Sequence, residues 1–228
     1  MRFLCLHGIG TSSEILEAQL SSIRFHLDNS HEFEFVEGQF VWPPAPGIEE
    51  AFGKQEAYYS YFDGTLQSIH QAVLDLAEYL DSEGPFDGVI GFSQGGALAA
   101  TLLAAESRGL LPPFETTGND SRLKCAIFLS CGQPWDFAAL ESGVERRLSA
   151  EADGVCIRIP TAHFWGSNDM EGFLGNHEVV SLCEEKNRVV SVHKSGHGIP
   201  TASRPADLMG LVKGLERTIQ RVFMEKSW

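Results

Sequence analysis

The stretch FDGVIGFSQGGALAATLLAA, residues 86–105, decides the fold. Its first seven residues are apolar apart from Asp87 and Gly88 and read as a short buried strand. From Gln94 onward the residues are small or apolar and uncharged, the pattern of a buried helix. Ser93 sits at the junction, flanked two positions away on either side by Gly91 and Gly95, so the centre fits G-x-S-x-G. The pentapeptide alone is a weak signal, but a strand before it and a helix after it are the setting in which a serine is raised on a tight turn above a sheet. Glycines at those positions let the strand and helix backbones close in. The helix N-terminus behind the serine favours developing negative charge. The rival reading, a glycine-rich phosphate-binding turn, lacks the spacing of G-x-G-x-x-G or G-x-x-x-x-G-K-[ST].

Working outward, strand-like and helix-like segments alternate. Strands are predicted over residues 3–6, 33–41, 86–92, 123–129, 159–165 and 189–193, and helices over 14–27, 66–80, 94–107 and 207–223. Ser12 and Ser13 are candidate N-caps for the first helix. Residues 42–63 follow no clean period, and the polar segment LPPFETTGNDS, residues 111–121, reads as a surface loop. Such alternation predicts one α/β domain over residues 1–228, with a mostly parallel central sheet, helices on both faces and a small loop or lid region.

A serine hydroxyl needs a base to take its proton. In a strand–serine–helix fold of this kind the partners follow in the order serine, acid, histidine. WGSND places Asp169 on the loop after one predicted strand, and KSGHG places His197 on a glycine-flanked loop after the last. His197 is the expected general base and then acid, with Asp169 orienting it. His193 and His163 lie within strands and read as structural, and His177 reads as the solvent-facing start of a helix. Glu171 and Asp153 stand as alternatives to Asp169. An oxyanion needs two backbone N–H donors. Gln94, directly after the serine, supplies one, and the turn HGIG after the first strand supplies the other, from Ile9 or its rival Gly10.

Composition narrows the function classes. Seventeen basic against 31 acidic residues leave a net charge of −14, which argues against nucleic acid and against stable association with an anionic membrane surface. The five cysteines are odd in number and none pairs as CxxC, so a reducing compartment is expected. MRFLCLHGIG reads as a first strand and not as a signal segment, which predicts a cytoplasmic protein. No HExxH, paired cysteine ligands or P-loop occurs, so neither a metal nor a cofactor is expected.

At these residues the sequence resembles the FSH family, the small fungal serine hydrolases within the α/β-hydrolases. The likeness rests on FLCLHGIGTSSEILEAQL, YYSYF, GVIGFSQGGALAATL, IPTAHFWGSNDM and SGHGIP, and so spans nearly the whole chain. One departure is SGHGIP, which has a single glycine directly before the histidine. The resemblance implies an α/β-hydrolase fold, with the family's nucleophile on Ser93, its acid on Asp169 and its base on His197. It also implies an ester or thioester substrate carrying a hydrophobic acyl or polyketide chain, free or carrier-protein-bound, as in product release in fungal secondary metabolism. A general carboxylesterase or acyl-protein-thioesterase-like activity is the alternative, ahead of an acyltransferase or a non-catalytic ligand-binding protein.

Loops at the C-terminal ends of strands surround the site in open α/β sheets. Tyr58, Tyr59, Tyr61 and Phe62 precede a helix, and Trp135 follows the strand ending near Leu129. These aromatics are candidates for an apolar substrate pocket, or alternatively for a small core beneath the loops.

Overall fold

In this computed structural model, residues 1–27, 30–112, 121–169 and 173–225 are described. The apolar runs become six parallel strands: β1 (Arg2–Leu6), β2 (Glu32–Val36), and, after two strands of a separate hairpin, β5 (Gly88–Phe92), β6 (Cys125–Leu129), β7 (Thr161–Gly166) and β8 (Arg188–His193). Their order across the sheet is β2-β1-β5-β6-β7-β8, and every pairing is parallel. The hairpin pairs β3 (Phe40–Trp42) with β4 (Tyr58–Ser60) in antiparallel register.

Alternation along each strand sends side chains to two cores. Leu4, Leu6, Val89, Ala126 and Phe128 meet one set of helices: α3 (Leu66–Ser82), α4 (Gln94–Ser107), α5 (Phe137–Glu141) and α7 (Phe173–Leu182). Phe3, Cys5, Ile90, Cys125 and Ile127 meet α1 (Ser13–His26) and α8 (Pro205–Glu225) on the other face. Two short helices, α2 (Ile48–Phe52) and α6 (Ala150–Asp153), lie outside this layering. The helix α4 is buried from Gln94 through Ala105, which explains its uncharged composition. Ser12 caps α1, its Oγ accepting from Ile15 N at 3.2 Å. All five cysteines are buried and free. Burial, with Asp87 adding to it, pushes the Cys125 thiol up to about 12, so it packs as a small apolar group. Among the described residues no helix is long and apolar enough to cross a membrane.

Two expectations are corrected. The single strand predicted over residues 33–41 is two strands in different sheets. A Cβ at Gly38 would lie 2.6 Å from both the carbon and the oxygen of the Ser60 carbonyl, so the chain turns there to pack against the hairpin. Tyr58 and Tyr59, expected in a loop, belong to β4. The predicted surface loop at residues 111–121 falls, for residues 113–120, outside the described residues.

Candidate active site

The loops that follow β1, β5, β7 and β8 converge at the C-terminal edge of the sheet, as open α/β sheets require. Ser93 occupies the turn between β5 and α4 at φ 52° and ψ −111°, a left-side conformation that a non-glycine residue adopts only when its surroundings force it. The forcing contacts are visible. Ser93 N donates to Leu129 O at 2.9 Å, and its carbonyl accepts from Ala97 N and Gly132 N. A Cβ at Gly91 would meet Gly96 Cα at 2.5 Å, and one at Gly95 would meet Leu6 O at 2.4 Å. Only glycine lets the helix start this close to two strands.

His197 lies on the loop after β8, with Nε2 2.9 Å from Ser93 Oγ and Nδ1 2.9 Å from Asp169 Oδ1. Those partners imply the tautomer in which Nδ1–H donates to the carboxylate and Nε2 accepts from the serine hydroxyl. Asp169 is 2% exposed, and its second oxygen accepts from Asn176 Nδ2 at 3.3 Å. Asn176 Oδ1 in turn accepts from Cys131 N at 2.6 Å. The histidine loop is pinned by Asn168, whose Oδ1 accepts from Gly196 N, and by Gly196 itself at φ 60°. Sequence reasoning missed Asn176 and Asn168. Asn168 stood next to the acid in the WGSND loop, whereas Asn176 on α7 had no local signal.

The rival histidines do other work. His163 stacks on Phe128 within β7, and burial pulls its pKa down to about 3. His193 at the end of β8 is buried, and its Nδ1 accepts from Ser195 N. His177 is exposed in the middle of α7, not at its start, and meets Trp165 edge to face. Asp153 is paired with Arg146 and Arg108. Glu171 lies outside the described residues.

Gln94 opens α4, so its backbone N–H has no carbonyl upstream to take it. Its side chain is tied back, accepting from Tyr61 N at 3.0 Å and donating to Ser60 Oγ at 2.8 Å. On the turn after β1, Gly10 N already donates to Tyr59 O at 2.9 Å, while Ile9 lines a cleft together with Ser93. The Ile9 N–H shares a peptide plane with the Gly8 carbonyl. That carbonyl accepts from His7 Nδ1 and from Thr11 Oγ1, each at 2.7 Å. His7 is fully buried; with Nδ1–H on Gly8 O, its Nε2 accepts from Gly38 N at 3.0 Å and lies 2.9 Å from Glu37 Oε1. Burial works to raise the Glu37 carboxyl, but the neighbouring His7 and the hydrogen bonds from Ser13 outweigh it and hold the pKa below the usual carboxylate range. The chain Glu37–His7–Gly8 therefore fixes the tilt of the peptide that carries the Ile9 N–H.

Two clefts open on either side of Ser93. One, of about 320 Å³, is lined by His197, Phe92 and the segment from Trp42 to Ile48. The other, of about 750 Å³, is lined by Gln94, Phe62, Leu66, Trp135 and Arg147. Phe62 and Trp135 thus lie at the site and meet edge to face. Three other aromatics expected to line a pocket are placed elsewhere. Tyr58 packs with Ile15 and Ile48, its hydroxyl accepting from Gln55 N. Tyr59 ties the turn after β1 through its backbone. Tyr61 packs its ring against His7 at a tilt, and its hydroxyl accepts from His7 N and donates to Val36 O. The Tyr58 and Tyr61 phenols thus brace the scaffold around the turn after β1, and neither residue lines the two clefts at Ser93.

Fold and site together define a serine hydrolase of the α/β-hydrolase type. The chain belongs to the serine hydrolase (FSH1) family, whose family model matches residues 1–208. It is 42% identical to the esterase FPY3 of Fusarium mangiferae over 203 residues, 88% of each chain. It is 32% identical to the hydrolase phiM of Talaromyces stipitatus, over 95% of this chain and 87% of that one. Among solved structures, a carboxylesterase from Mesorhizobium loti superposes with a TM-score of 0.58 at 16% identity, covering 94% of this chain and 88% of that chain. Acyl-protein thioesterase 2 of Zea mays gives 0.54 at 18%, covering 95% and 93%. At such identities these likenesses speak for the fold alone.

Proposed function

We propose that Ser93 attacks the carbonyl carbon of an ester or thioester of a hydrophobic acyl or polyketide chain, and that water then hydrolyses the acyl-enzyme. His197 takes the Ser93 proton, delivers it to the leaving atom, and later activates the water. Asp169 keeps the imidazole in the required tautomer and stabilises its charged form. The N–H groups of Ile9 and Gln94 receive the oxyanion. The observation that carries this reading is the unbroken line Ser93–His197–Asp169, with both separations at 2.9 Å. The names of these relatives, esterase and hydrolase, agree with it. The polyketide character of the acyl chain, and its presentation on a carrier protein, rest on the family resemblance.

The test is covalent labelling by a fluorophosphonate, wild type against Ser93→Ala. Labelling confined to the wild type supports the assignment, and labelling that persists in the variant sinks it. A panel of p-nitrophenyl esters and acyl thioesters of increasing chain length then reports the substrate class.

A further inference from the structure

Resting on that nucleophile, we infer that the two clefts divide the substrate in a fixed sense: the leaving group enters the proline-rich cleft beside His197, and the acyl group enters the Trp135–Arg147 cleft. The argument is chemical. In acylation Ser93 Oγ bonds to the carbonyl carbon while the bond from that carbon to the leaving oxygen breaks. The proton passes from Ser93 Oγ to His197 Nε2 and on to the leaving oxygen, so that oxygen must lie within hydrogen-bond reach of the imidazole. His197 lines the smaller cleft and not the larger, whereas the Gln94 turn lines the larger and not the smaller. Both clefts meet at Ser93 and Ile9, where the carbonyl would sit.

The linings then name the chemistry of each half. No Lys, Arg, Asp or Glu is among the described residues lining the leaving-group cleft. Its walls are Trp42, Pro43, Pro44 and Pro46, and its hydrogen-bonding side chains include Gln19, whose Oε1 is buried and has no partner among the described residues. A phosphate-bearing thiol would meet no cation there, and the chain carries a net charge of −14. The leaving group is therefore a neutral alcohol, with a hydroxyl that Gln19 can bind, which narrows the proposed ester-or-thioester reading to esters and sets aside the carrier-bound thioester. The acyl cleft is larger and mixed. Phe62, Leu66 and Trp135 make its apolar wall, and the Arg147 guanidinium lies 3.5 Å over the Trp135 ring. Arg147 donates to Gln133 O and, among the described residues, forms no ion pair, although Glu145 lines the same cleft, which leaves guanidinium donors for an oxygen at the far end of an acyl chain.

The experiment is a crossed panel of neutral esters in which the acyl group and the alcohol vary independently. Three variants are compared with wild type: Trp42→Ala in the leaving-group cleft, and Leu66→Trp and Arg147→Ala in the acyl cleft. Trp42→Ala is expected to change kcat/KM according to the alcohol, while the deacylation rate of a given acyl group stays as in wild type. Leu66→Trp is expected to lower kcat/KM by roughly tenfold or more for long acyl groups, whatever the alcohol. Arg147→Ala is expected to weaken turnover of acyl groups with a distal oxygen relative to plain alkyl chains. The reverse pattern, with Trp42→Ala tracking the acyl group and Leu66→Trp tracking the alcohol, overturns the assignment. So does faster turnover of a coenzyme A thioester than of the matched neutral ester. Fluorophosphonate labelling of the same samples keeps the two readings apart. Labelling lost in Ser93→Ala with a reversed panel refutes only the division of the clefts, whereas labelling that survives in Ser93→Ala refutes the nucleophile itself.

Discussion

Replacing Thr11 by valine removes a hydroxyl and leaves the shape of the side chain nearly unchanged. Thr11 is buried, and its Oγ1 donates to Gly8 O at 2.7 Å. The Gly8 carbonyl keeps its second donor, His7 Nδ1, so it is not stranded. The stability cost is then that of one ordinary hydrogen bond, about 1 kcal/mol. In a chain of this size that lowers the melting temperature by roughly 2–4 °C. The catalytic cost has an upper bound, because loss of a whole oxyanion donor is worth about 2.7–4 kcal/mol. Here the Ile9 N–H remains but its peptide is held by one bond instead of two. About 1 kcal/mol of transition-state stabilisation is at stake, near fivefold in rate. The oxyanion exists only beyond the ground state, so the loss falls on kcat and leaves KM within about twofold. Steady-state hydrolysis of a p-nitrophenyl ester, with thermal unfolding of the same samples, reads both effects. An unchanged kcat beside a lowered melting temperature would refute the reasoning, since Thr11 would then support the fold and not the oxyanion. A raised KM with kcat intact would refute it equally.

Asp169→Asn preserves shape but offers His197 Nδ1 an amide in place of a carboxylate, and kcat is expected to fall by roughly 10³–10⁴ with little change in melting temperature. A loss under about tenfold by the same ester assay would assign the acid role to another residue. Gly166→Ala would place a Cβ 2.2 Å from Gly196 O, directly before His197. Activity is expected to drop much further than the folded fraction measured by circular dichroism, and parallel losses would contradict that. His163 is held neutral by burial, its pKa pulled from 6.5 to about 3. The unfolded chain takes up that proton below its ordinary pKa while the folded chain refuses it, so stability falls as pH drops through this window, by up to ~1.4 kcal/mol per pH unit. Melting temperatures taken from about pH 7 to about pH 4 should decline less steeply in His163→Leu than in wild type, and equal slopes would count against the burial argument.

Much of this site was legible because each reacting residue directly follows a strand. Ser93, Asp169 and His197 each stand at the end of an apolar run, and the turn after a strand is where an open α/β sheet presents its chemistry. The helices with long apolar periods, α3, α4 and α8, were equally plain. The misreadings share a cause. Phe33, Phe35 and Val41 alternate as one strand would, and only the approach of Gly38 to Ser60, distant in sequence, breaks the run. Tyr58, Tyr59 and Tyr61 are aromatic and adjacent to the site in sequence, but composition does not tell which face of the hairpin points at Ser93. Asn176 is set by the packing of α7 beneath β7, a tertiary fact that no local pattern encodes. The Gly8 carbonyl clamp is likewise invisible until the HGIG turn is folded against Glu37.

The strand order carries a consequence for how activity is acquired. In the proposed assignment the nucleophile hangs from β5, the acid from β7 and the base from β8, while the oxyanion turn hangs from β1. β6 is wedged between the nucleophile and the other two, so no pair of neighbouring strands holds enough of the machinery to turn over an ester. The contacts that hold Ser93 in its turn come from Leu129 and Gly132, so a nascent chain that has paired only β1 with β5 lacks both the clamp on the serine and the histidine beside it. With the triad proposed above, full esterase activity therefore reports that the chain through residue 197 has docked onto the sheet.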